Sequence, residues 1–92
     1  MHILLEYDAR KRYKTLVERG LDLARASEIF ECAHFTAEDD RADYQEARFI
    51  TVGRLDGYMV VTVWTHRGEA RRIISMRKAN DREKAKYNGR LG

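Results

Sequence analysis

The residues best suited to chemistry lie between His66 and Tyr87. Arg71, Arg72, Ser75 and Arg77 stand on one strand-like stretch, Ala70–Arg77, and His66 and Arg67 occupy the turn before it. A guanidinium offers a planar fork that matches a phosphate, and the Ser75 hydroxyl adds a further donor. A buried charge without a partner costs several kcal/mol, so an arginine-bearing face must meet solvent, acids or a phosphate. Strict alternation places Arg71, Ile73, Ser75 and Arg77 on one face and Arg72, Ile74 and Met76 on the other. Arg72 and Arg77 can therefore share a site only if Arg77 lies at the strand end or past a bulge. Two readings stay open: a phosphate-binding strand, or an edge strand kept charged against aggregation. His66 is either a proton shuttle or an ordinary turn residue. Tyr87, Tyr58 and Trp64 offer rings that stack on unpaired bases or simply pack.

The charge distribution favours a polyanion. From Arg67 onward nine Lys or Arg face three acids, a net +6, whereas the first 66 residues carry nine bases and twelve acids, a net −3. A weakly basic chain thus has a strongly basic C-terminal third, which points first to nucleic acid. No apolar run is long enough to cross a membrane, and Ile3-Leu4-Leu5 is too short for a signal sequence. The single Cys32 excludes an intrachain disulfide and fits a reducing, cytoplasmic setting. No zinc spacing, P-loop or Ser–His–Asp signature is present, and the acidic cluster at 38–43 lacks the spacing of a calcium loop. It reads as a solvated loop or a contact for a basic partner, and no metal or cofactor is expected.

The elements that must position these residues follow from periodicity. His2–Tyr7 reads as an edge strand. Asp8 caps a helix through Arg19, with Ala9, Tyr13, Leu16 and Val17 on its apolar face and Gly20 closing it. Asp22 caps a second helix carrying Leu23, Ala26, Ile29 and Phe30, so the two predict a helical hairpin. Arg48–Arg54, Tyr58–Thr65 and Ala70–Arg77 read as strands, the second central, with a type I′ turn at Asp56-Gly57. Asn80 caps a short terminal helix with Glu83 completing a capping box. The expectation is one α+β domain spanning 1–92: an N-terminal helical hairpin on one face of an antiparallel sheet of about four strands, then a short C-terminal helix.

These residues resemble the BrnT family. The N-terminal part is similar to its W-D-P-x-K…G…F-x-x-A…F pattern through Tyr7-Asp8, Lys11, Gly20, Ala26 and Phe30. The middle follows R-F-I-x-x-G through Arg48, Phe49, Ile50 and Gly53. The C-terminal part follows R-G…R-I-I-S-A-R-x-A…E…Y through Arg67-Gly68, Arg72-Ile73-Ile74-Ser75, Arg77, Ala79, Glu83 and Tyr87. The chain departs from the pattern at Tyr7, Ala9, Thr15, Glu18-Arg19, Leu23 and Met76.

The resemblance implies a RelE-like fold and a ribonuclease toxin that cuts RNA without a metal ion and inhibits translation. It also implies neutralisation by a BrnA-like ribbon-helix-helix antitoxin, through which alone operator DNA would be bound. The expected catalytic residues are Arg67, Arg72, Ser75 and Arg77. The expected RNA-binding residues are His66, Arg71, Lys78 and Tyr87. Tyr87, His66 and Lys78 are the candidates for the general base. The rival readings are a nucleic-acid-binding module without chemistry and a domain whose basic face docks an acidic protein.

Overall fold

The computed structural model describes residues 3–41 and 43–91. In chain order its elements are β1 (Leu5–Glu6), α1 (Ala9–Arg19), a 3₁₀ turn (Leu23–Arg25), α2 (Ala26–Glu31), β2 (His34–Asp39), β3 (Arg48–Leu55), β4 (Tyr58–Arg67), β5 (Ala70–Lys78) and α3 (Asp81–Tyr87). The strands form one sheet in the order β1-β5-β4-β3-β2, which makes β4 central as expected. Asp56 and Gly57 adopt φ of 53° and 81°, the left-handed pair that a type I′ turn requires.

The sheet is five-stranded and mixed, which corrects the expected four antiparallel strands. Leu5 and Glu6 pair in parallel with Arg71 and Arg72, covering one edge of β5. At the other edge, β2 runs into the predicted acidic loop. Asp39 is buried there, and its carboxylate accepts from Arg41 Nε, Nη2 and backbone N and from the Tyr44 hydroxyl. That local set of donors lets an acid end a strand that its composition disguises. His2 and Ala42, parts of the predicted edge strand and acidic loop, lie outside the described residues.

The helices divide between the two faces of the sheet, where one face was expected. On the first, here the α2 face, Leu21, Leu23, Ala26, Ile29 and Phe30 pack on Leu55, Val60, Trp64, Ile73 and Met76. Gly53 permits that approach, since a Cβ there would lie 2.5 Å from Ile29 Cγ2. On the second, the α3 face, Val52, Met59, Val61, Ala79 and Leu91 form a smaller core bordered by Ile50 and Tyr87.

No N-terminal helical hairpin forms. Gly20, at φ 69°, ends α1, and only six helical residues come after the 3₁₀ turn. Helix α1 lies beside β5, held by Arg19 Nη1 donating to the Met76 carbonyl at 2.8 Å. The Asp22 carboxylate both caps the 3₁₀ turn and takes two hydrogen bonds from Arg12, which fixes the angle between α1 and that turn. Thr15 is the buried residue of α1, while Tyr13, Leu16 and Val17 are exposed at 71%, 44% and 66%. The apolar stripe read as core is therefore surface.

Candidate nucleic-acid interface

The decisive local feature is a bulge in β5. Val63 pairs with Ser75 but Trp64 pairs with Ile73, so Ile74 is an extra residue. A bulge resets alternation, and directly opposed residues share a face. Arg67 opposes Ala70, Arg72 opposes Thr65, Ser75 opposes Val63 and Arg77 opposes Val61. All four expected catalytic residues consequently stand on the α3 face. Strict alternation, which grouped Arg71 with Ser75 and Arg77, is corrected: Arg71 opposes His66, and both lie on the α2 face, as does Lys78 opposite Val60.

One transverse row crosses the whole sheet on the α3 face. Register aligns Asp39, Arg48, Thr65, Arg72 and Glu6 across β2, β3, β4, β5 and β1. Acids close both ends, and two arginines flank a buried threonine whose Oγ1 donates to the Ala47 carbonyl at 2.6 Å. The Arg48 guanidinium lies 4.2 Å from the Tyr44 ring centroid, and its Nε is buried without a hydrogen-bond partner among the described residues. Arg72 makes one loose contact, 3.5 Å from Nη1 to Glu6 Oε1. Among the described residues neither guanidinium is fully paired, although the unpartnered Arg48 Nε is itself buried. Arg48 and Arg41 escaped sequence reading as site residues. Arg48 sits in the strand motif, but its place in the row depends on a register that only the folded sheet supplies.

Arg77 is held differently. Its Nη1 and Nη2 each donate to Glu83 at 2.8 Å, and the Asn80 N–H donates to Glu83 Oε1 at 2.9 Å. Glu83 therefore completes the predicted capping box and also anchors the arginine. The Arg77 hydrogen bonds, set against partial burial, lower the Glu83 carboxyl to about 2. The same fork raises Arg77, while the charge of Arg41 reaches it and acts the other way. Asp39 is likewise lowered to about 2, chiefly by the Arg41 side chain.

Ser75 lines a cavity of about 170 Å³ with Lys11, Lys14, Thr15, Glu18 and Arg19, so α1 adds bases at the β5 edge. Tyr87 is half-buried, its ring 5.5 Å from that of Phe35, and it serves packing on the α3 face. Lys78 lies over Tyr58, with Nζ 4.1 Å from the ring centroid. Two of the three residues named for the general base, His66 and Lys78, are thus on the face opposite Arg72 and Arg77.

Among the described residues no helix is long and apolar enough to cross a membrane. Nor do three His, Cys, Asp or Glu side chains converge as a metal ion would need. A family model described as ribonuclease toxin, BrnT, of type II toxin–antitoxin system matches residues 7–83, a span that contains Asp39, Arg48, Thr65 and Arg72 of the transverse row. Among curated proteins, none matches the chain.

Proposed function

This chain belongs to the BrnT family of ribonuclease toxins of type II toxin–antitoxin systems, and on that premise we propose that it cuts RNA without a metal ion at the arginine row of the α3 face. Membership implies an RNA substrate and an antitoxin partner. In the proposed reading the antitoxin is a BrnA-like ribbon-helix-helix protein that also carries any contact with operator DNA, and cleavage inhibits translation.

The observation that supports this site is the Ile74 bulge, because it brings Arg72, Ser75 and Arg77 to one face. In the proposed reaction the RNA 2′-oxygen attacks the adjacent phosphorus and gives up its proton. The 5′-oxygen then leaves, taking its proton from water, to give a 2′,3′-cyclic phosphate and a 5′-hydroxyl. Negative charge grows on the equatorial phosphate oxygens, and fixed donors aimed at it lower the barrier. Arg72 and Arg48, neither fully paired and on either side of Thr65, take that charge. Arg67 and the Ser75 hydroxyl extend the clamp. Arg77 is kept in place by Glu83 and steers the strand through its charge.

The proton acceptor emerges from comparing the carboxylates. Glu83 and Asp39, both lowered to about 2 by arginine hydrogen bonds, bind protons too weakly to serve well. Glu6 is paired loosely, at 3.5 Å, and stands beside Arg72 in the same row. We therefore assign it the proton-accepting role in place of Tyr87, His66 or Lys78.

The test is cleavage of RNA in EDTA. Wild-type protein should cut, and Arg72→Ala should lose roughly 10²–10³ in rate, the usual cost of removing one preorganised donor. Salt-sensitive binding without cut products, in wild type and variant alike, would instead favour a module that only holds RNA.

A further inference from the structure

On the face opposite the arginine row, Arg71 is packed between aromatic rings with no ion pair among the described residues. Its guanidinium carbon lies 4.3 Å from the Phe30 ring centroid and 4.6 Å from that of Trp64. Two aromatic faces hold the fork in a set orientation. No hydrogen bond or salt bridge from its side chain is found among the described residues, so its N–H groups are oriented but unspent.

Two histidines border this cation. His66, directly opposite Arg71 in the sheet, is exposed and sits edge-on to Trp64 at 5.0 Å and to Phe49 at 5.3 Å. His34, also exposed, is edge-on to Phe30 at 5.9 Å. Its Nδ1 is 2.7 Å from the Cys32 carbonyl. A carbonyl only accepts, so Nδ1 carries a proton, and Nε2 donates to a phosphate oxygen only when the ring holds both protons. Phe30, His34 and Arg71 line a cavity of about 360 Å³ with Ile3 and Glu31. Glu31 is exposed and makes no ion pair with Arg71, so its carboxylate opposes an anion at this site without filling it.

Position in the fold supplies the ligand. Arg71 and His66 lie one residue from Arg72 and Arg67, on the same β4–β5 hairpin but the other face. A single strand that crosses the arginine row can pass round the hairpin tip at Gly68 and continue on the α2 face. We propose that Arg71, with His66 and His34, forms a second phosphate subsite, which binds a phosphodiester of the same RNA strand away from the bond that is cut. This rests on the reading of the chain as an RNA-cleaving protein.

Trp64 is the chain's only tryptophan and touches Arg71, so its fluorescence reports occupancy directly. The experiment titrates the full chain with a 2′-O-methyl RNA oligonucleotide, which has no nucleophile and stays intact. Anisotropy of a label on the oligonucleotide reports binding independently. Wild type should bind and change its Trp64 emission. Arg71→Gln should lose that change even at saturation, whereas Arg72→Gln should keep it. The double variant His34→Ala/His66→Ala, at exposed positions, should bind about tenfold more weakly, as expected for lost charge-assisted contacts. Glu31→Gln should bind more tightly. Unchanged Trp64 response in Arg71→Gln, or wild-type affinity in the double histidine variant, would overturn the subsite and leave the arginine row untouched. No binding by wild type would overturn the RNA reading itself, and the subsite with it.

Discussion

At the residue scale, the carboxylates divide by how tightly an arginine holds them. Glu83 takes both arms of Arg77 and a backbone N–H, whereas Glu6 meets Arg72 at 3.5 Å. The first arrangement builds structure, and the second leaves a group free to act. Glu83 has a folded value of about 2 against an ordinary 4.5, and Asp39 about 2 against 3.8. Their folded values are depressed, so the unfolded chain binds more protons across this interval. Their stabilisation is complete above about pH 4.5 and is lost as pH falls towards 2. Thermal melts of wild type should therefore lose midpoint steeply over that window. Glu83→Gln should melt lower than wild type near neutral pH, and the gap should narrow in acid. A constant gap would contradict the Arg77 pairing as its source. Glu6→Gln should cut RNA more slowly and bind an uncleavable RNA at least as tightly as wild type. Equal cleavage would remove Glu6 from the reaction.

At the element scale, local signals were legible and pairing between distant segments was not. The Asn80 capping box, the Asp8 cap and the Asp56-Gly57 turn each depend on neighbours within a few residues, and all three formed. Strand β1 escaped as a partner of β5 because two residues of parallel pairing leave no periodic trace. Strand β2 was hidden by its acids, because nothing in their spacing announces that Arg41 and Tyr44 turn back to satisfy the buried Asp39. The bulge is the instructive case. Ile73-Ile74 reads as ordinary alternation, yet the extra residue decides which arginines meet. The stripe on α1 failed for the opposite reason: its spacing is good, but the sheet is covered by α2, and α1 is displaced to the β5 edge. Gly53→Ala tests that packing. The added Cβ would press on Ile29, so denaturant unfolding should show a loss of about 1–3 kcal/mol, the usual cost of overpacking a core. An unchanged midpoint would mean that α2 sits further from β3 than described.

Across the whole molecule, charge and topology converge on the β4–β5 hairpin. The C-terminal third carries the net positive charge, and the sheet spreads it over two faces, with Arg67, Arg72 and Arg77 on one and Arg71 and Lys78 on the other. The charge asymmetry along the chain announced a polyanion, but it carried no sign that the basic residues split. Binding of single-stranded RNA should weaken steeply with salt. Four to five phosphate contacts would give a slope of roughly −3 in log affinity against log salt. A slope near zero would point to an acidic protein surface or a neutral ligand in place of RNA. If the bulge assembles a metal-free cutting site on the α3 face, the most direct measurement is RNA cleavage in EDTA by wild type and Arg72→Ala, with fold checked by thermal melting. Wild type should yield 2′,3′-cyclic phosphate products, and the variant should lose roughly 10²–10³ in rate. Equal rates from the two folded proteins would contradict that site.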